Sequence, residues 1–277
     1  MSLNAVRRGF ALIDLLVGLV LFGLIGGVMV HATLAIQRTV QAHLSRLAAE
    51  GALDTGVGFL GSELAALGRD AAGSDLVQQA AESLSYRAER GTGLACSVSA
   101  TTITVEIDRY AGVRLPQPGR DSFLLYAGRD AGLGLPGNWV AVPILALQAA
   151  ACGSAPAWRI VTQIDTTRIS LPGLPAWVPV RLFEIMQARL YRSSGATWLG
   201  VRSVSAGEPI QPLAGPFTLA RSGFFLRDSA GGRAASTGAT REVDIGLSGP
   251  WSGWSGGAGP APDESTGVSL TPGNLLP

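Results

Sequence analysis

The side chains that could do chemistry are few, and most lie too far apart to work together. His31 and His43 are the only histidines. On a helix their twelve-residue separation is roughly 18 Å by rise alone, so they cannot share a metal or a proton. No histidine follows them, which leaves a Ser-His-Asp triad without its base in the rest of the chain. All 21 basic residues are arginine, and this removes Schiff-base lysines and the phosphate-loop lysine. Glu106 and Asp108 would face the same way on a strand and form a carboxylate pair, although solvated acids are the ordinary occupants of such positions. Asp228 to Gly232 together with Asp263-Glu264 offers oxygen ligands of the kind calcium takes, but in no calcium-loop spacing. Gly56-Val57-Gly58-Phe59-Leu60-Gly61 spells a dinucleotide fingerprint. That motif needs a strand before it and a helix starting at its third glycine, whereas here it falls inside a helical repeat. The expectation is therefore no catalytic residue, no metal and no cofactor. A net charge of +1 gives no basic surface for nucleic acid.

One group stays unexplained. Asp14 follows Arg7-Arg8-Gly9-Phe10-Ala11-Leu12-Ile13 and stands at the head of an apolar run from Leu15 to Val30. A carboxylate at bilayer depth costs about 2.5–3.5 kcal/mol on insertion scales and is kept for function. Its position asks for a cationic partner.

The element carrying Asp14 is long. Phe10 to Ile36 is 27 residues, roughly 40 Å as helix against a hydrocarbon core of about 30 Å. No small-residue cleavage site closes the run, which continues through Val28-Met29-Val30-His31-Ala32-Thr33, so an ordinary secretory signal is disfavoured. Arg7 and Arg8 precede the run and the next cation is Arg38, which orients the N-terminus to the cytoplasm and the bulk of the chain outside. Gly23 and Gly27 form G-x-x-x-G, a spacing that lets membrane helices approach closely. Beyond the run, Ile36, Val40, Leu44, Leu47, Leu53, Val57, Leu60, Leu64 and Leu67 recur at helical spacing. The expectation is an amphipathic continuation with a break between Gly51 and Gly58, because each glycine costs about 1 kcal/mol relative to alanine. Gly68 and Gly73 are candidate stops, and Leu76 to Ser83 a candidate short helix.

From Leu94 the period changes to two. Strands are expected at 102–108, 122–127, 139–147, 158–164, 178–192, 197–204 and 241–247, separated by Gly/Pro clusters and paired antiparallel for want of helical inserts. Residues 249–277, rich in Gly, Pro and Ser, read as irregular. Cys96 and Cys152 would share an oxidising compartment if the outer topology holds. They can then form a disulfide worth roughly 4 kcal/mol in the chain-entropy picture; the alternative is two buried thiols.

Arg8-Gly9-Phe10, the acid at Asp14 and the unbroken apolar run resemble the class III leader of type IV pilins and type II secretion pseudopilins. The resemblance implies that a prepilin peptidase cuts between Gly9 and Phe10 and methylates the new N-terminus at Phe10. It also implies that Asp14 neutralises the terminal ammonium of a neighbouring subunit. The family carries glutamate at that position, one methylene longer, and many members carry a helix-bending proline where this chain has His31, which would shift flexibility to Gly26-Gly27. Val180-Arg181-Leu182 to Leu190-Tyr191-Arg192, Thr197-Trp198-Leu199, Gly223-Phe224-Phe225-Leu226-Arg227-Asp228 and Arg241-Glu242-Val243-Asp244-Ile245-Gly246-Leu247 are similar to the large minor members, a PilW-like minor pilin or a J-type minor pseudopilin.

The resemblance implies an α+β, pilin-like fold: a long N-terminal helix packed on an antiparallel β-rich head. Its divisions would be a removable leader (1–9), a transmembrane assembly helix (10–36), an amphipathic continuation with a connecting helix (37–90), a β head (91–248) and a tail (249–277). Implied partners are the prepilin peptidase, other major and minor pilins or pseudopilins, the inner-membrane assembly platform and the membrane itself. The implied location is the bacterial inner membrane, crossed once, with the head periplasmic. The competing expectation is a signal-anchored protein with an unrelated binding or hydrolytic β domain.

Overall fold

The computed structural model describes residues 6–70, 73–127, 139–165, 174, 177–249 and 264–270. The described residues fall into two units, 6–50, and 51–249 with 264–270. Helix α1 (Val6–Ala65) comes first. Among the described residues the strands that follow in chain order are β1 (Arg69–Asp70), β2 (Gly73–Ser74), β3 (Leu76–Ala80), β4 (Ser83–Val98), β5 (Thr102–Glu106), β6 (Ala111–Gly112), β7 (Ser122–Tyr126), β8 (Trp139–Pro143), β9 (Ala146–Cys152), β10 (Ala155–Val161), β11 (Val178–Ser193), β12 (Ala196–Ser203), β13 (Gln211–Phe217), β14 (Gly223–Arg227), β15 (Glu242–Gly249) and β16 (Glu264–Leu270). The class is α+β: a long apolar N-terminal helix and a large antiparallel sheet.

The main sheet has eleven strands along the path β13-β12-β11-β4-β5-β10-β9, with β3, β6, β7 and β8 pairing off it. A second sheet is β14-β15-β16. At the centre of the main sheet, β4 and β11 run 16 residues each and pair antiparallel from Val178↔Ala95 to Arg189↔Ser83. Two apolar cores lie along them. In the first, Leu53, Leu60, Leu64 and Leu67 from α1 and the turn after it meet Leu84, Tyr86, Met186, Ala188, Leu199, Phe224 and Ile245. In the second, Ile103, Phe123, Val142, Ile160, Val178 and Leu182 pack together.

A β-bulge decides how β4 serves both. Leu182 pairs with Gly91 and Phe183 with Glu89, so Arg90 is the extra residue. Before it Leu84, Tyr86 and Ala88 are buried; after it Gly91, Gly93 and Ala95 are. One inserted residue thus switches the buried positions from even to odd and keeps one face turned inward.

Four expectations need correction. The helix does not break between Gly51 and Gly58. Gly51, Gly58 and Gly61 are open to solvent, but a Cβ on Gly56 would come within 2.9 Å of Leu247 Cδ1 and 3.3 Å of Leu199 Cδ2. That glycine is where the helix backbone approaches the sheet side chains, and the apolar packing gained there outweighs its propensity cost. Leu76 to Ser83 is no helix: β3 and the start of β4 occupy it, and the strands begin at Arg69 rather than near 91. β4, the central strand, was absent from the expected strands. The tail is not wholly irregular, because β16 pairs with β15 from Val243↔Leu270 to Gly249↔Glu264. Trp251 and Trp254 lie outside the described residues.

Candidate functional site

Gly9 and Phe10 lie on α1, but their side chains, like those of residues 6–12, lie outside the described residues. Asp14 is exposed on α1 and makes no ion pair among the described residues. From Ile13 to Leu47 every large apolar side chain is exposed, with Leu15 at 70%, Phe22 at 80% and Leu24 at 61%. The apolar character goes all the way round the helix, as in a membrane span rather than a surface helix. Length and composition alone make this helix able to cross a membrane. Asp14 is also the only acid between Val6 and Ala49, so nothing else in that stretch competes for a cation.

The helical stripe from Ile36 to Leu67 divides. Ile36, Val40, Leu44 and Leu47 are exposed, whereas Leu53, Leu60, Leu64 and Leu67 are buried in the first core. Thr33 and Thr39 donate their hydroxyls to the carbonyls of Met29 and Ala35, one turn back. Their hydroxyl protons are thereby satisfied within the helix. His31 and His43 are both exposed.

In the second unit the charged side chains are assembled between the two cores. Arg90, the bulge residue, donates through Nε to Glu184 Oε1 at 2.5 Å and through Nη1 to Glu63 Oε1 at 3.0 Å. Arg120 donates to the other oxygen of Glu184 at 2.7 Å and to Glu208 at 2.7 Å. Arg114 grips Asp121 with two bonds of 2.5 Å and lies 3.5 Å from Glu184. The Glu184 side chain is 2% exposed. Burial works against its charged form, but the bonds from Arg90 and Arg120 outweigh that and hold its pKa below the ordinary carboxylate value. Burial, reinforced by the charge of Glu63, pushes the Tyr86 phenol up, so it stays neutral. Each acid of this network is held by a guanidinium. The network joins α1 to β4 and β11.

The remaining sequence candidates are not brought together. Glu106 is buried and pairs with Arg109 at 3.2 Å, while Asp108 is exposed in the turn after β5, so the carboxylate pair does not form. Asp228 Oδ1 accepts from the backbone N–H groups of Ala230 and Gly232. It shapes its own turn. Asp263 and the Glu264 side chain lie outside the described residues. Among the described residues no group of three or more His, Cys, Asp or Glu could hold a metal. The fingerprint glycines 56–61 lie inside α1, without the strand that nucleotide binding requires. Cys96 and Cys152 are joined as a disulfide with Cα atoms 5.9 Å apart, tying the end of β9 to β4.

Comparison with protein-family models, with curated proteins and with solved structures finds no match.

Proposed function

We propose that this chain is a non-enzymatic minor pilin or pseudopilin, a subunit that primes or caps a type IV pilus or a type II secretion pseudopilus. The observation that carries the reading is the division of α1: an all-round apolar stretch holding the lone carboxylate Asp14, continuous with a segment buried in a β domain. In this reading a prepilin peptidase removes residues 1–9 and methylates Phe10, and the helix then packs among those of neighbouring pilins at the inner-membrane platform. Asp14 receives the terminal ammonium of the next subunit, a cation that offsets the desolvation it suffers alone. The β domain is periplasmic, where the disulfide fits an oxidising compartment.

N-terminal sequencing of protein extracted from the membrane tests this. An N-methylated phenylalanine corresponding to Phe10 is expected. An intact Met1, or a cut near Ala32, sinks the reading and favours a signal-anchored β domain. Asp14→Ala should still be processed, since cleavage depends on Gly9, but should co-purify with far less partner pilin. Unchanged co-purification would remove the neutralisation role.

A further inference from the structure

Where β4, β11 and β12 meet, they present a polar cleft on the face opposite the first core. It has a volume of about 380 Å³ and is bordered by Ser83, Gln187, Arg189, Arg202 and, at its rim, Glu82. The register sets their spacing. Arg189 lies opposite Ser83 on one side and Gly200 on the other, and Gln187 lies opposite Arg202. Arg189 and Arg202 are therefore diagonal neighbours on adjacent strands, with backbones roughly 7–8 Å apart, a distance their long side chains span easily.

The two guanidiniums differ in what occupies them. Arg202 donates through Nε to Gln187 Oε1 at 2.9 Å, and Gln187 donates to Ser85 Oγ at 3.4 Å. The amide is thereby oriented, and the terminal nitrogens of Arg202 have no partner among the described residues. Arg189 has no hydrogen-bond acceptor or ion-pair partner among the described residues. The arginines of the buried network contrast with it: Arg90, Arg114 and Arg120 each hold a carboxylate. The cleft wall is also fixed, because the β3–β4 turn carbonyls of Ala81 and Glu82 accept from Phe224 N and Leu190 N at 3.0 and 2.8 Å.

We propose that this cleft binds an oxyanion, a carboxylate or phosphate group, held by the Arg189 and Arg202 forks with the Ser83 hydroxyl as a further donor. Guanidinium forks match the planar or tetrahedral oxygens of such groups and bind them with charge-assisted bonds. Glu82 opposes the charge and sets an upper limit on affinity. The inference does not depend on the pilin reading.

The test is a titration of the full chain in neutral detergent with sodium phosphate or sodium glutarate, at ionic strength held constant with chloride, following the arginine Nε–Hε resonances. Saturable shifts of Arg189 and Arg202 are expected. Arg189→Gln should weaken binding at least about tenfold, the loss of one charge-assisted pair, and Glu82→Gln should tighten it. Arg189 touches no acceptor, so its replacement leaves folding intact and the result interpretable. Response to both anions supports a site open to acidic side chains, and response to phosphate alone supports a phosphate source. Shifts that grow linearly, or a titration unchanged in Arg189→Gln, overturn the site and leave two solvated arginines.

Discussion

The two ends of α1 carry the same kinds of side chain at the same spacing and put them to opposite use. From Ile13 to Leu47 the large apolar residues are exposed; from Leu53 to Leu64 the leucines are buried against strands. The difference lies in the other face of the helix. From Ile13 to Ala32 apolar residues and glycines run all round apart from Asp14 and His31, while in the second stretch the exposed Asp54, Thr55 and Ser62 lie on the side away from the leucines. A stripe with a polar back is satisfied by a folded domain. A helix with no polar back needs lipid or other helices, and an exposed patch of that kind marks an interaction site.

Several changes would break or sharpen this contrast. The largest effect is expected from Arg90→Ala, which strips Glu63 and half of the Glu184 carboxylate of their cation. Removing one partner of a buried pair costs about 3–5 kcal/mol; since Glu184 keeps Arg120, a cost of about 3 kcal/mol is expected, read as a fall in the denaturation midpoint of the β domain. Leu60→Ala comes next: its side chain is fully buried, and truncation should cost about 2–5 kcal/mol. Leu24→Ala, in the exposed stretch, should leave the same midpoint unchanged. Equal effects would abolish the distinction between the two ends. The glycines give a smaller and opposite pair. Gly56→Leu should destabilise by about 1–3 kcal/mol through overpacking against Leu247 and Leu199, whereas Gly58→Ala, into open space, should stabilise by up to about 1 kcal/mol.

The smallest effect is that of pH. The folded pKa of Glu184 is depressed, so its contribution is present above the ordinary glutamate pKa, about 4.3, and is lost as pH falls through the folded value. Thermal midpoints should be level from neutral pH down to about 5 and decline below. In Glu184→Gln that decline should be shallower.

The sequence made the apolar end of α1 readable because its signal is composition, which needs no tertiary partner: the unbroken run from Leu15 to Val30 stands out by type alone. Cys96 with Cys152 and most strands from Thr102 onward were readable from compartment and alternation. β4 was not. Its bulge at Arg90 interrupts the period of two, and Arg87, Glu89 and Arg90 look like a solvated segment until Asp75, Arg181 and Glu184 are seen beside them. β16 was hidden for a different reason. Its Ser- and Gly-bearing sequence has little strand propensity, and its pairing with β15 is supplied by the neighbour. Gly56 was legible as a glycine but not as a contact, since only the fold places Leu247 over it.

The Cys96–Cys152 bridge also bears on the order in which the domain is made. β4 and β11 form the middle of the sheet, yet Arg90 and Glu184, paired across it, are 94 residues apart in the chain. A strand that emerges early must wait for its partner, and closing so long a connection slows folding. The bridge spans 56 of those residues, leaving about 38 to be closed once the cysteines are oxidised. On loop-closure entropy that lowers the cost of bringing β4 to β11 by roughly 0.8 kcal/mol, about fourfold in rate if this pairing limits folding. Oxidised chains should therefore refold faster than reduced ones, and the disulfide acts as a timing device for the central strand pair.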